Sequence, residues 1–184
     1  MLEKFSEKSM KLVFAAKRKA KKPFRRTVVP IDILISFFET ENDAKAVLIN
    51  QNLTKEKIIS EFEKINFEYP KTKDIFSKEV IKIFLSALKI INGTKEEKIL
   101  PIHILSALLK ENPPEINKIF ENLKVKNNEL VNLTEKAINK KLLKSKRVTN
   151  LREYKILVNY KRQTSKNQAL KEQYFFLLKL FRKI

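Results

Sequence analysis

The chain has no cysteine, no tryptophan, one glycine and one histidine among its 184 residues. Without cysteine it has no disulfide framework, no thiolate nucleophile and no cysteine-ligated zinc. A phosphate-cradling loop of the Gly-x-x-x-x-Gly-Lys-Ser/Thr type needs two glycines, and only Gly93 exists, so nucleotide hydrolysis by such a loop is excluded. The same scarcity removes the turn residues a hairpin-rich fold requires. No window reaches the roughly 18 apolar residues of a membrane span. The opening MLEKFSEKSMKLVFAAKRK has neither the uninterrupted apolar core nor the small-residue cleavage site of a secretory leader, so a cytoplasmic protein is expected.

What is abundant is Lys, Leu, Ile, Glu and Asn, with 43% hydrophobic residues in all. Residues that form helices readily dominate, and the expected fold class is all-α. Two stretches organise it: Val29-Pro30-Ile31-Asp32-Ile33-Leu34-Ile35 and Leu100-Pro101-Ile102-His103-Ile104-Leu105-Ser106, 71 residues apart. The same offset sets Phe5-Ser6 against Phe76-Ser77, Lys11 against Lys82 and Ala16 against Ala87. A tandem duplication follows, with repeat one at 2–69 and repeat two at 73–143. Units of this length rarely bury their apolar faces alone, so the copies should pack on each other as one domain, 1–143.

Each copy reads as four helices, eight in all. Ser6 caps a first helix over 6–21, with Met10, Val13, Phe14 and Lys17 on one face, and Pro23 ends it. Pro30 starts the second, whose apolar stripe is Ile33, Leu34, Phe37 and Phe38. Ala44, Val47 and Leu48 mark a short third. Thr54 caps a fourth, carrying Ile58, Ile59, Phe62 and Ile65. In the second copy Ser77 caps a helix with Ile81, Phe84, Leu85 and Leu88, which stops at Asn92-Gly93. Pro101 starts its partner. After Pro113-Pro114 the register slips by one, as a loop insertion would make it do. A last helix from Asn127 carries Leu130, Val131, Thr134, Ala137 and Ile138.

The formal charge of +19 is uneven. Residues 140–184 hold 14 Lys and Arg against two acids, and beyond residue 143 the repeat stops. The tail, 144–184, reads as basic, amphipathic and helical. Lys144, Lys146, Arg147, Arg152, Lys161 and Arg162, interleaved with Tyr154, form an aromatic-and-basic set suited to nucleic acid. The stripe from Leu170 to Ile184 suits an anionic membrane surface or docking on protein. A second basic cluster, with Lys17, Lys21, Arg25 and Arg26, crosses the first interhelix connection and suits phosphate or an acidic partner.

Enzyme chemistry finds no footing. His103 is the sole histidine and has no Ser, Cys or second His at catalytic spacing. Asp32 holds the sister position, which suggests a shared capping role for both. Glu96-Glu97 and Asp74 lack the carboxylate-and-histidine set of a metal site. No metal and no cofactor are expected.

The opening Phe5-Ser6-Glu7, its echo Phe76-Ser77-Lys78, and the Asp32-Ile33-Leu34 and His103-Ile104-Leu105 segments together resemble the N-terminal double-repeat domain of Clp ATPase unfoldases. The resemblance covers about residues 1–140. It implies an eight-helix module with a pseudo-twofold axis that docks adaptors or substrates for an AAA+ unfoldase. It also places Ile31 and Ile102 where the family carries an acid that helps recognise phosphoarginine marks, and isoleucine cannot pair with a guanidinium. Val29 and Leu100 stand where the family has glycine. The expected function is thus a non-enzymatic adaptor or regulator of a Clp unfoldase and protease system. Its client or partner would sit in the groove between repeats, near Ile31, Asp32, Ile102 and His103, with Lys17, Lys21, Arg25 and Arg26 at the rim. The alternative is a basic protein associated with nucleic acid or ribosomes through its tail.

Overall fold

A computed structural model of the chain describes residues 2–20, 27–70, 74–92 and 96–140. A 3-10 turn at Leu2–Lys4 leads into α1, Glu7–Ala20. α2, Pro30–Ser36, tightens into a 3-10 turn at Phe37–Glu39 and is followed by α3, Asp43–Asn50, and α4, Lys55–Glu63. The order repeats in α5, Lys78–Asn92, α6, Pro101–Glu111, and α7, Pro114–Asn122. The eighth helix, α8, occupies 127–140. Among the described residues the fold is all-α, as expected, and its only strand-like pairings are two isolated bridges.

The helices begin where the chain supplies acceptors for orphan N–H groups. Ser6 Oγ accepts from the Ser9 N–H at 3.2 Å, and Ser77 Oγ from the Val80 N–H at 3.3 Å. Asn42 Oδ1 caps α3 through the Lys45 N–H, and Thr54 Oγ1 caps α4 through that of Lys57.

The halves are joined by a reciprocal exchange. Phe5 of repeat one bridges Ile99 of repeat two, and Phe76 of repeat two bridges Val28 of repeat one. The Ser6 N–H donates to the Ile99 carbonyl and the Ile99 N–H to that of Lys4, at 2.9 and 2.7 Å. Shifted by 71 residues, the Ser77 N–H donates to the Val28 carbonyl and the Val28 N–H to that of Ile75, at 2.9 and 2.8 Å. The Thr27 hydroxyl on the Asp74 carbonyl, at 2.8 Å, has its counterpart in the Lys98 ammonium on the Glu3 carbonyl, at 2.6 Å. A pseudo-twofold axis relates the two sets. The extended segment ahead of α1 is held by the loop ahead of α6, and that ahead of α5 by the loop ahead of α2.

Around this clasp α1 packs on α2 and α5 on α6, while α2 meets α5 and α1 meets α6 across the repeats. α3 lies against α6, its counterpart α7 against α2, and α4 also meets α7. α2 and α6 are the centre: every residue from Pro30 to Phe37 and from Pro101 to Leu109 is buried. A helix buried all round is largely apolar, and the polar exceptions here are Asp32 and Ser36 in α2 and His103 and Ser106 in α6.

Two expectations about the outer pair are corrected. The buried residues of α1 are Ser9, Leu12, Val13, Ala15, Ala16 and Ala20; of the expected stripe of Met10, Val13, Phe14 and Lys17 only Val13 is among them, and Phe14 is 55% exposed. In α5 it is Val80, Ile83, Phe84, Ala87 and Ile91, and Ile81 and Leu85 point outward. Both helices carry large apolar residues on two faces. The core selects the face with Ser9 and Ala16, whose small side chains let α1 approach α2 and α6 closely. Ala44 and Leu48 of α3 match Ile116 and Phe120 of α7 in burial, 72 apart, so the one-residue slip is already complete at Ile116 and enters at the connection into α7.

Candidate functional site

Asp32 and His103 are the fourth-residue partners of their helix starts. The Val29 N–H donates to Asp32 Oδ2 at 3.1 Å, and the Leu100 N–H donates to His103 Nδ1 at 3.2 Å. Each side chain thereby reaches back over a proline-initiated first turn, the arrangement a glutamate makes in a capping box. Ile31, Asp32, Ile102 and His103 are all at most 2% exposed, so the two central helices keep all four inside the molecule. Ile31 and Asp32 reach the wall of a cavity, whereas His103 serves the start of α6.

A groove of about 410 Å³ opens where the repeats meet. Repeat one supplies Val29 and Pro30 from the start of α2, and Ile65, Phe67, Glu68 and Pro70 from the extended segment after α4. Repeat two supplies Glu79 from the first turn of α5 and Pro114, Glu115 and Lys118 from α7. The far side of the Ile65 to Tyr69 segment lines a second cavity of about 520 Å³ with Lys19, Ile31, Asp32, Ile35 and Phe62. Phe62, Phe67 and Tyr69 brace that segment through mutual ring contacts, with centroids 5.0 to 6.4 Å apart. It forms a thin wall between the two cavities.

The electrostatics of the first groove are acidic. Glu115, second residue of α7, is 7% exposed. Burial pushes its carboxyl above the ordinary value; its own backbone N–H opposes the shift and the Glu79 charge adds to it. Glu79 is held below the ordinary value by its own N–H and the Ser77 hydroxyl. In the neighbourhood of the second cavity Glu39 bridges Lys19 at 2.7 Å and Lys55 at 3.2 Å. Burial there raises the Glu39 carboxyl, but the two lysines outweigh it and the net shift is downward.

Of the expected rim, Lys17 is half-buried on α1. Lys21, Arg25 and Arg26 lie outside the described residues, as does the tail set Lys144, Lys146, Arg147, Arg152, Tyr154, Lys161 and Arg162. Among the described residues no group of three or more His, Asp or Glu side chains is placed to hold a metal ion, and no helix is long and apolar enough to cross a membrane. Sequence reasoning missed Glu68, Glu79 and Glu115; Glu79 and Glu115 share one signal, an acid in the first turn of a helix, and Glu68 has none.

No protein-family model and no curated protein sequence matches the chain significantly. Solved structures do. The N-terminal domain of the caseinolytic protease associated chaperone ClpD from Arabidopsis thaliana aligns with a TM-score of 0.61 at 17% identity, over 76% of this chain and 97% of that one. The Hsp104 N-terminal domain from Candida albicans gives 0.58 at 21% identity, over 71% and 88%. That of the ClpV1 ATPase from E. coli gives 0.55 at 16%, over 72% and 84%. The described chain therefore has, over most of its length, the fold of the N-terminal domains of Clp and Hsp104 ATPases.

Proposed function

We propose that the chain is a non-catalytic protein-interaction module that serves a Clp-type AAA+ unfoldase in the cytoplasm as an adaptor or regulator. It holds a segment of a client or partner protein in the groove between its repeats. The observation that carries this reading is the open groove at the junction of two interlocked halves, in a fold shared with the N-terminal domains of a protease-associated chaperone and of an ATPase. Its lining favours a polypeptide over a metabolite. Six apolar side chains and prolines sit beside a few charges along a shallow wall, which suits an extended chain with alternating contacts.

The test is affinity capture with the full chain, in parallel with a variant carrying Phe67→Asp in the groove. The reading expects an AAA+ unfoldase, its protease subunit or a client to be retained by the parent chain and lost with the variant. Retention of none of these, or equal retention by both, contradicts it.

A further inference from the structure

One edge of the groove is bare backbone. Repeat one ends α4 at Glu63 and then turns tightly, with the Ile65 N–H on the Phe62 carbonyl at 3.0 Å and the Phe67 N–H on the Ile65 carbonyl at 2.8 Å. A three-residue turn of that kind commonly opens an extended run. The β-branched and aromatic residues at 65, 67 and 69 favour one, and Pro70 biases Tyr69 away from the helix. Burial alternates accordingly: Ile65, Phe67 and Tyr69 are half-buried, while Asn66, Glu68 and Pro70 are exposed.

The duplication supplies an internal control. The Ile58 N–H donates to the Thr54 carbonyl and the Leu130 N–H to that of Lys126, which sets α4 against α8 at an offset of 72. At that offset the last residue of α4, Glu63, matches Glu135, and α8 runs on to 140 through the positions that match 64–68. The fold therefore accepts a longer fourth helix, and repeat one lays the same positions out extended.

Among the described residues neither Asn66 nor Glu68 makes a hydrogen bond through its backbone or its side chain. Alternate residues of an extended chain turn their N–H and C=O groups to one edge, so these two present donors and acceptors in strand register. Glu68 lines the groove itself. Water satisfies such groups in an ordinary loop, but a chain seated in the groove displaces that water and has to supply matching groups. Another backbone repeats donors and acceptors at this spacing. The molecule already joins its own halves in this way, through the strand-like bridges of Phe5 with Ile99 and Val28 with Phe76.

Resting on the reading of this groove as a docking site, we infer that its occupant is an extended polypeptide segment that adds as a strand to the edge at Asn66 and Glu68. The backbones pair, and alternate apolar side chains of the segment lie against Val29, Pro30 and Pro114 across the groove. A helix in the same place would leave the edge unpaired, because its own N–H and C=O groups are used internally.

The experiment titrates the isotope-labelled full chain with two synthetic peptides. One is the capped heptapeptide Ser-Val-Thr-Leu-Thr-Val-Ser, which favours an extended backbone, and the other an alanine-rich helix former with leucines four residues apart. The extended peptide should bind and slow amide hydrogen exchange at Asn66 and Glu68 at least about tenfold. Glu68→Pro, which deletes one donor of the edge, should bind it at least about tenfold more weakly than Glu68→Ala, which keeps that donor. Thermal melts of both variants keep a folding defect separate, and the exchange measurement needs no variant. Binding that Phe67→Asp removes, with exchange unchanged at both amides or with the two Glu68 variants equal, overturns the inference and leaves the docking reading standing. Tighter binding of the helical peptide in the groove does the same. Binding of neither peptide at millimolar concentration overturns the inference, and the docking reading with it if affinity capture also retains no partner.

Discussion

Asp32 and His103 occupy one position of the duplicated unit and perform one task with different chemistry: each accepts the backbone N–H three residues before it, from Val29 at 3.1 Å and from Leu100 at 3.2 Å. A carboxylate oxygen and an imidazole nitrogen are interchangeable here because the helix start needs only an acceptor at that distance. The lone histidine is thereby accounted for structurally.

Loss of either acceptor should destabilise the domain. Asp32→Ala and His103→Ala are each expected to cost about 1–3 kcal/mol, since each leaves a backbone N–H without this partner at a buried helix start. Asp32→Asn keeps an oxygen in place and should cost less than Asp32→Ala. Urea midpoints at constant slope check both statements.

Phe5 and Phe14 are nine residues apart and should behave oppositely. Phe5 is buried, stacks edge-on against Phe84 at 5.2 Å and anchors one arm of the clasp through Ile99. Phe5→Ala should cost about 3–5 kcal/mol. Phe14 stands in solvent, so Phe14→Ala should change stability by no more than about 0.5 kcal/mol.

Two carboxylates give pH dependences of opposite sign. Glu115 titrates above its unfolded value of 4.5, so the native state holds its proton longer and loses stability as pH rises through that window. Glu115→Gln should remove this loss, gaining on the parent chain between about pH 4 and neutrality. Glu39 titrates below 4.5 because Lys19 and Lys55 outweigh its burial, so its contribution is present above that value and fades as pH falls through the lowered one. Glu39→Gln should therefore cost up to about 1 kcal/mol at neutral pH and nothing in acid. Urea midpoints across pH separate the two.

The duplication was legible because its signals are local. Proline at a helix start, Ser6, Ser77 and Thr54 as caps, and a constant 71-residue offset all survive in a single sequence. The faces of α1 and α5 were not, because Met10, Phe14, Ile81 and Leu85 outweigh Ser9, Ala16 and Ala87 in bulk, while the core chose the smaller set for close approach. The acidic groove was the least legible. Glu68, Glu79 and Glu115 come from three separate elements, and nothing in the spacing of Glu68 and Glu115 shows that the clasp brings them to one wall.

Site-specific photocrosslinking tests the central claim most directly, with a benzophenone side chain in place of Phe67 in the groove and, separately, in place of Phe14 on the outer face of α1. The account predicts crosslinks from position 67 to an AAA+ unfoldase, its protease subunit or a client, and none from position 14. Crosslinks to those proteins from position 14 alone, or from neither position, would contradict it.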